Sequence, residues 1–155
     1  MSRNLSNQNY ALMGLSSRVK YALLALLELA SHPASAPPLT IGEITGRQAI
    51  PDRYLEQILT SLRRGGIIQS QRGSKGGYAL ARESWQITLL EIVVLVDGDR
   101  KETESNETPT LERDIVREIW QQASGQAQAV LSRYTLQNLV QKRDARKQKN
   151  PMYYI

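Results

Sequence analysis

The sequence predicts a mainly α-helical fold carrying one two-stranded β wing and a long C-terminal helix. Three observations predict it. Apolar residues recur at helical spacing in segments separated by proline, glycine or polar breaks. Two short β-like segments, 67–71 and 78–80, flank a turn rich in glycine and basic residues. After a charged interruption, a further apolar stripe begins at Leu111.

Residues 1–14 are polar and Asn/Ser-rich and read as a flexible arm. A helix begins near Ser16–Ser17, where a hydroxyl can cap the free N–H groups of the first turn. Its apolar positions are Val19, Leu23, Leu26, Leu27 and Ala30, and the prolines of SHPASAPPLT end it. Thr40 with Glu43 has capping-box spacing and opens a short helix from Ile41 to Arg47. A turn at Ala49–Ile50 leads to Pro51, suited to a first helical position. Leu55, Ile58, Leu59 and Leu62 form the buried stripe of this helix, and Gly65–Gly66 stops it. Two helices joined by so short a turn have helix-turn-helix proportions. The hairpin follows at once, so residues 15–98 read as a winged helix-turn-helix. Its last helix, Leu89–Val96, opens on the Thr88/Glu91 capping box and ends at Asp97–Gly98.

Residues 99–110 are charged, nearly free of large apolar side chains, and read as a mobile loop. Beyond it, 111–145 reads as helical, with Leu111, Ile115, Ile119 and Ala123 on one face and Val116 and Trp120 beside it. A break is expected at Gly125, followed by a segment carrying Val130, Leu131, Leu136, Leu139 and Val140. The stripe from Leu111 to Ala123 has little left to cover within one small domain, which points to an isologous homodimer. Residues 146–155 read as a basic, then aromatic, tail.

The chain has 155 residues, 41% of them hydrophobic, enough to build a core. There is no cysteine, which excludes disulfides, thiol catalysis and thiolate-held metals, so no cofactor is expected. The N-terminus lacks a signal-peptide layout, and the longest apolar stretch, Tyr21–Leu29, contains Glu28 and is too short to span a bilayer. A soluble, cytoplasmic protein with no membrane partner is expected.

The formal charge is +5, and it is unevenly placed. From Arg47 to Arg82 the charged residues are Arg47, Arg53, Arg63, Arg64, Arg72, Lys75 and Arg82 against Asp52 and Glu56, whereas 97–118 leans acidic. On the helix after Pro51, residues Arg53, Tyr54, Gln57, Ser61 and Arg64 lie opposite the leucine stripe. Any solvated helix shows a polar face, but arginine and glutamine here can also pair with base edges in a major groove. The hairpin tip favours the second reading. Gly73, Gly76 and Gly77 permit a tight backbone approach, and Arg72 and Lys75 place positive charge there, as phosphate or minor-groove contact requires. Double-stranded DNA is therefore the expected partner. The rival is a winged-helix adaptor that binds proteins and never reads bases.

The segments LSSRVKYALLALLELA and RYLEQILTSLRRGGIIQSQRGSKGGYALAR resemble the IscR-like (Rrf2) family of winged-helix repressors and activators, over about residues 15–140. The resemblance implies a dimer with crossed C-terminal helices that reads a partly palindromic operator. It maps base-reading positions to Arg53, Tyr54, Gln57, Arg72 and Gly73, and phosphate contacts to Ser16, Ser17 and Arg18, with Tyr21 nearby. Glu56 matches a glutamate that tunes which sites some members accept. Many members hold an iron–sulfur cluster on three cysteines. Here residues 101–110 offer Glu, Thr, Ser and Asn, and the corresponding ligand positions carry Asp114, Arg117 and Lys20. The resemblance then points to the cysteine-free branch, typified by a cysteine-metabolism repressor under the control of a partner protein. A protein co-regulator, a small molecule and no effector all stay open.

The other features read plainly. His32 is expected in a capping or surface role. GSKGGY lacks the spacing and following helix of a phosphate loop. Glu102, Glu104 and Glu107 read as a solvated loop. Trp120 is expected in the dimer core and Trp85 packed at the junction of wing and helix. Tyr153 and Tyr154 could dock on a partner subunit or stay loose. No nucleophile–base or metal constellation supports an enzyme.

Overall fold

The computed structural model describes residues 15–72, 76–98 and 108–150. They form six helices and one two-stranded antiparallel sheet: α1 (Ser17–Ser31), α2 (Ile41–Gln48), α3 (Asp52–Arg64), β1 (Ile68–Ser70), β2 (Tyr78–Leu80), α4 (Leu89–Asp97), α5 (Leu111–Arg133) and α6 (Leu136–Lys149). The expected mainly helical winged fold is what the chain adopts. The proposed arm at 1–14, residues 99–107 with Glu102, Glu104 and Glu107, and the tail with Tyr153 and Tyr154 lie outside the described residues.

Caps set most of the boundaries. Ser16 accepts from the Val19 amide, Thr40 from Glu43 and Thr88 from Glu91, with the Glu91 side chain returning to the Thr88 amide. Pro51 stands one place earlier than expected, as the residue before α3, with Asp52 the first helical residue. The turn between α2 and α3 places Ala49 in the left-handed region, with φ 44°. At the other end of α3, Gly66 takes φ 75° while the Ile67 amide reaches back to the Leu62 carbonyl at 3.0 Å. This 6→1 closure satisfies a carbonyl the helix would leave open and turns the chain into the wing.

The core is made by α1, α3 and α4 with the wing base. Leu26, Ile44, Leu55, Ile58, Leu59 and Leu62 are fully buried, joined by Ile67, Ile87 and Ile92. On α1 the small residues Ala22 and Ala25 are also fully buried, which lets neighbouring helices approach closely, whereas Leu23, Leu27 and Ala30 are only half-buried. Glu28 of α1 holds α2 in place by accepting from Gln48 Nε2 at 2.7 Å and pairing with Arg47 at 3.4 Å.

In the wing Ile68 faces Leu80, Gln69 faces Ala79 and Ser70 faces Tyr78. Leu39, just before α2, adds a bridge: its amide donates to the Tyr78 carbonyl at 3.1 Å, and the Tyr78 amide returns the bond at 2.8 Å. The wing is thereby tied on its second edge to the segment leading into the helix-turn-helix.

Gly125 does not break the C-terminal helix. α5 runs unbroken from Leu111 to Arg133, and the break falls at Tyr134–Thr135, where Thr135 and Asn138 form a reciprocal capping box. A single solvated glycine costs a helix only about 1 kcal/mol relative to alanine, too little to end one of this length. Trp85 does not pack. It sits in a single 3-10 turn, Ser84–Gln86, and is 58% exposed, the core at this junction being filled instead by Ile87 and Leu89.

The helices expected together in 111–145 part company. α6, which continues to Lys149, packs on α1 of its own chain and seats Leu136 fully buried in the core. α5 has no buried residue, and only Leu131, near its C-terminal end, joins the fringe of the core.

Candidate nucleic-acid interface

Four of the expected contact residues gather where α1 starts and α3 turns outward. Arg53 and Gln57 are exposed on α3, and Tyr54 between them is 47% exposed. The Tyr54 ring meets the ring of Tyr21 on α1, with centroids 6.1 Å apart and planes tilted by 45°. Lys20 Nζ stands 5.0 Å from the Tyr21 ring centre, a cation–π distance. Two aromatic rings thus lock the outer face of α3 to the first turns of α1 and set an ammonium beside them. Tyr21 was expected near the contact residues, but its pairing with Tyr54 has no sequence signal, because the two are far apart along the chain.

Ser17 is the exposed first residue of α1. Ser16 is already engaged: its hydroxyl accepts from the Val19 amide at 3.1 Å and donates to Asp97 Oδ2 at 2.8 Å. It is a structural cap first, and its proton is committed to α4. Arg18 is half-buried, and its Nε is enclosed with no hydrogen-bond partner among the described residues. The Ser61 hydroxyl is engaged within its own helix, donating to the Gln57 carbonyl at 3.2 Å, and Arg53, Tyr54, Gln57 and Arg64 are the exposed members of the predicted face. Glu56 is exposed on the same helix.

Of the wing residues, Arg72 is exposed immediately beyond β1, whereas Gly73 and Lys75 lie outside the described residues. Gly76 and Gly77 take φ of 66° and 147°, and the Gln71 amide donates to the Gly77 carbonyl at 2.9 Å. A Cβ on Gly77 would lie 2.7 Å from Pro38 Cβ and 2.9 Å from the Leu39 carbonyl oxygen. Glycine is required there because the wing passes directly against the segment before α2.

The positive charge between residues 47 and 82 divides into two kinds. Arg47 is paired with Glu28, and Arg82 with Glu91 at 3.0 Å. Arg53, Arg63, Arg64 and Arg72 are exposed and have no carboxylate partner among the described residues, so their charge is available to an external anion. Glu91 illustrates the electrostatics at the base of the wing. The Thr88 amide, together with the Arg82 guanidinium, holds its carboxyl below the usual carboxylate range against an opposing effect of burial.

α5 presents the second surface. Leu111 and Trp120 are each 72% exposed, Ile115, Val116 and Ile119 are more than half exposed, and Ala123 is exposed with them. A soluble helix seldom leaves an apolar series of this kind open to water.

No group of three His, Cys, Asp or Glu among the described residues could hold a metal ion. The whole sequence offers no thiolate, and its one histidine, His32, caps α1 and bonds through Nε2 to the Pro37 carbonyl. This donor set does not fit a cysteine-held iron–sulfur cluster. Nor is any described helix long and apolar enough to cross a membrane.

Comparison with known proteins agrees with this architecture. The family model described as Rrf2, iron-dependent transcriptional regulator, matches residues 15–142. The chain is 32% identical over 139 residues to an HTH-type transcriptional regulator of Haemophilus influenzae, covering 88% of this chain and 92% of that one. It is 31% identical over 131 residues to the HTH-type transcriptional regulator IscR of Photorhabdus laumondii, covering 83% and 79%. Among solved structures, IscR of T. potens superposes with a TM-score of 0.68 at 28% identity, over 86% of this chain and 88% of its own. CymR, the global cysteine regulator of B. subtilis, gives 0.68 at 28% identity over 84% and 98%. These relatives are transcription regulators, not enzymes.

Proposed function

Because this chain belongs to the Rrf2 family of transcriptional regulators, we propose that it is a sequence-specific DNA-binding regulator that acts as a homodimer on a partly palindromic operator, without a cysteine-held cluster. The observation that carries the proposal is the Tyr21–Tyr54 contact, which fixes the outer residues of α3 relative to the start of α1. On this reading α3 enters the major groove, with Arg53, Tyr54 and Gln57 at base edges. The amide end of α1, with Ser17, Arg18 and Tyr21, rests on the backbone, where Ser16 serves through its cap. The wing brings Arg72, Gly73 and Lys75 to the neighbouring groove.

Residues 15–98 are then the reading unit and α5 joins two copies through Leu111, Ile115, Ile119, Trp120 and Ala123. The exposed apolar series supports that role, since a second copy of α5 would cover it. The protein acts in the cytoplasm. With no cysteine to hold a cluster, we place its control elsewhere, and a protein co-regulator is the source we favour.

The test is binding of the purified protein to genomic fragments across a salt series. A regulator of this kind selects particular fragments and loses affinity steeply as salt rises. An adaptor that reads no bases would show no preference among fragments.

A further inference from the structure

We propose that the groove between α1 and α6 is a docking site for an acidic amphipathic peptide segment of a protein partner, which deepens the co-regulator reading above and rests on it. Leu27 of α1 and Leu139 of α6 form an apolar floor, and Lys142, Arg143, Arg146 and Lys147 surround it. The groove encloses about 320 Å³. Arg143 fixes one wall by donating through Nη1 to Ser31 Oγ at the end of α1, and through Nη2 to Asp144 at 3.0 Å.

The position of this charge separates it from the DNA-facing surface. Leu139 lies with Leu27 and Arg143 with Ser31, so α6 runs alongside α1 in the same direction, toward the C-terminal end of α1. The proposed backbone contact is at the opposite end of α1, which by helical rise is roughly 20 Å away. These cations therefore stand apart from the proposed phosphate contacts.

Placed together on one helix, these cations repel one another. Lys142 with Arg146 and Arg143 with Lys147 are like-charge pairs at i,i+4, which weaken an isolated helix. The helix dipole favours the basic residues of the last turn, and a turn earlier Lys142 Nζ stands 5.6 Å from the Tyr134 ring centre while Arg143 bonds Ser31 and Asp144. Among the described residues Arg146 and Lys147 have no ion pair. Carboxylates on a bound segment would neutralise the rim, while one of its apolar side chains filled the floor. A DNA backbone has no apolar side chain to place on Leu27 and Leu139, so it matches the rim alone.

The test uses the full chain and a fluorescein-labelled helical peptide with two leucines on one face, flanked by glutamates, read by fluorescence anisotropy. Saturable binding is expected, weakened at least about tenfold by R146Q/K147Q and by replacing the peptide leucines with serine. Glutamine is a good helix former, and circular dichroism of the variant checks that α6 persists. Operator binding measured on the same variant should change less than about twofold, because the proposed DNA contacts lie elsewhere. No saturable peptide binding, equal binding of the serine peptide, displacement by random duplex DNA, or preferential loss of phosphatidylglycerol-vesicle binding in the variant would each overturn the assignment. Peptide binding that persists in a protein selecting no genomic fragment would leave the groove standing and remove the operator reading instead.

Discussion

Ser16 and Asp97, 81 positions apart, are joined by a 2.8 Å hydrogen bond that ties the residue capping α1 to the last residue of α4. The same hydroxyl satisfies the Val19 amide. Ser16→Ala therefore removes a helix cap and a tertiary tie together, and should lower stability by about 1–2 kcal/mol. Asp97→Ala removes only the tie and should cost less. Urea unfolding curves of the two variants, compared at unchanged slope, measure the difference.

Arg72→Ala should weaken operator binding by about 1–3 kcal/mol. Gln57→Ala should relax selectivity at one operator position, while a change at a proposed phosphate contact such as Ser17 should lower affinity for every sequence alike. Titrations against operator and random duplex over a salt series separate these cases. An unchanged affinity for Arg72→Ala would remove the wing from the interface.

Ile119→Lys lies on the exposed series of α5 and touches no core residue, so it should leave the fold stable within about 0.5 kcal/mol. It should convert a dimer into a monomer in sedimentation velocity. A sedimentation coefficient equal to that of the unchanged chain would rule out α5 as the joining surface.

Gly77→Ala meets both a strained backbone and a close approach, since its φ is 147° and its Cβ would stand 2.7 Å from Pro38 Cβ. It should destabilise the protein by at least about 1 kcal/mol and loosen the bonds between Leu39 and Tyr78. Faster amide exchange at Tyr78 than at core positions of α3 would show this.

The Glu91 carboxyl is held below its ordinary range, chiefly by the Thr88 amide and then by Arg82. A carboxylate depressed on folding adds stability above its unfolded pKa and loses it as pH falls through the folded value. Glu91→Gln should therefore flatten the acid limb of the stability curve below the usual carboxylate range. The change should be well under 1 kcal/mol, because the side chain is 41% exposed and solvent screens the pair with Arg82.

Local signals made most of the fold legible. Ser16, Thr40 and Thr88 start helices where their hydroxyls predict, and Gly65–Gly66 closes α3. The misjudged break at Gly125 came from weighting one residue's propensity over the length of the helix, while the true stop at Thr135–Asn138 carried a cap of its own. Trp85 was misplaced because an aromatic side chain near a junction does not reveal which way a single turn faces.

Of the candidate interface, Arg53, Tyr54 and Gln57 were readable from helical spacing. The pairing of Tyr21 with Tyr54, the capture of Ser16 by Asp97 and the Leu39 bridge were not. Each joins residues from separate elements, and periodicity within one element carries no information about its neighbours.

An uninterrupted α5 of 23 residues is a stiff rod about 33 Å long that packs on α4, and at its C-terminal end the Tyr134 carbonyl receives the Leu89 amide at 2.9 Å. Stiffness converts small rotations at that root into large excursions at the tip. A tilt of roughly 10° would carry Leu111 through roughly 6 Å, so in the proposed dimer the spacing of the two reading heads would follow the angle at which this helix leaves the body.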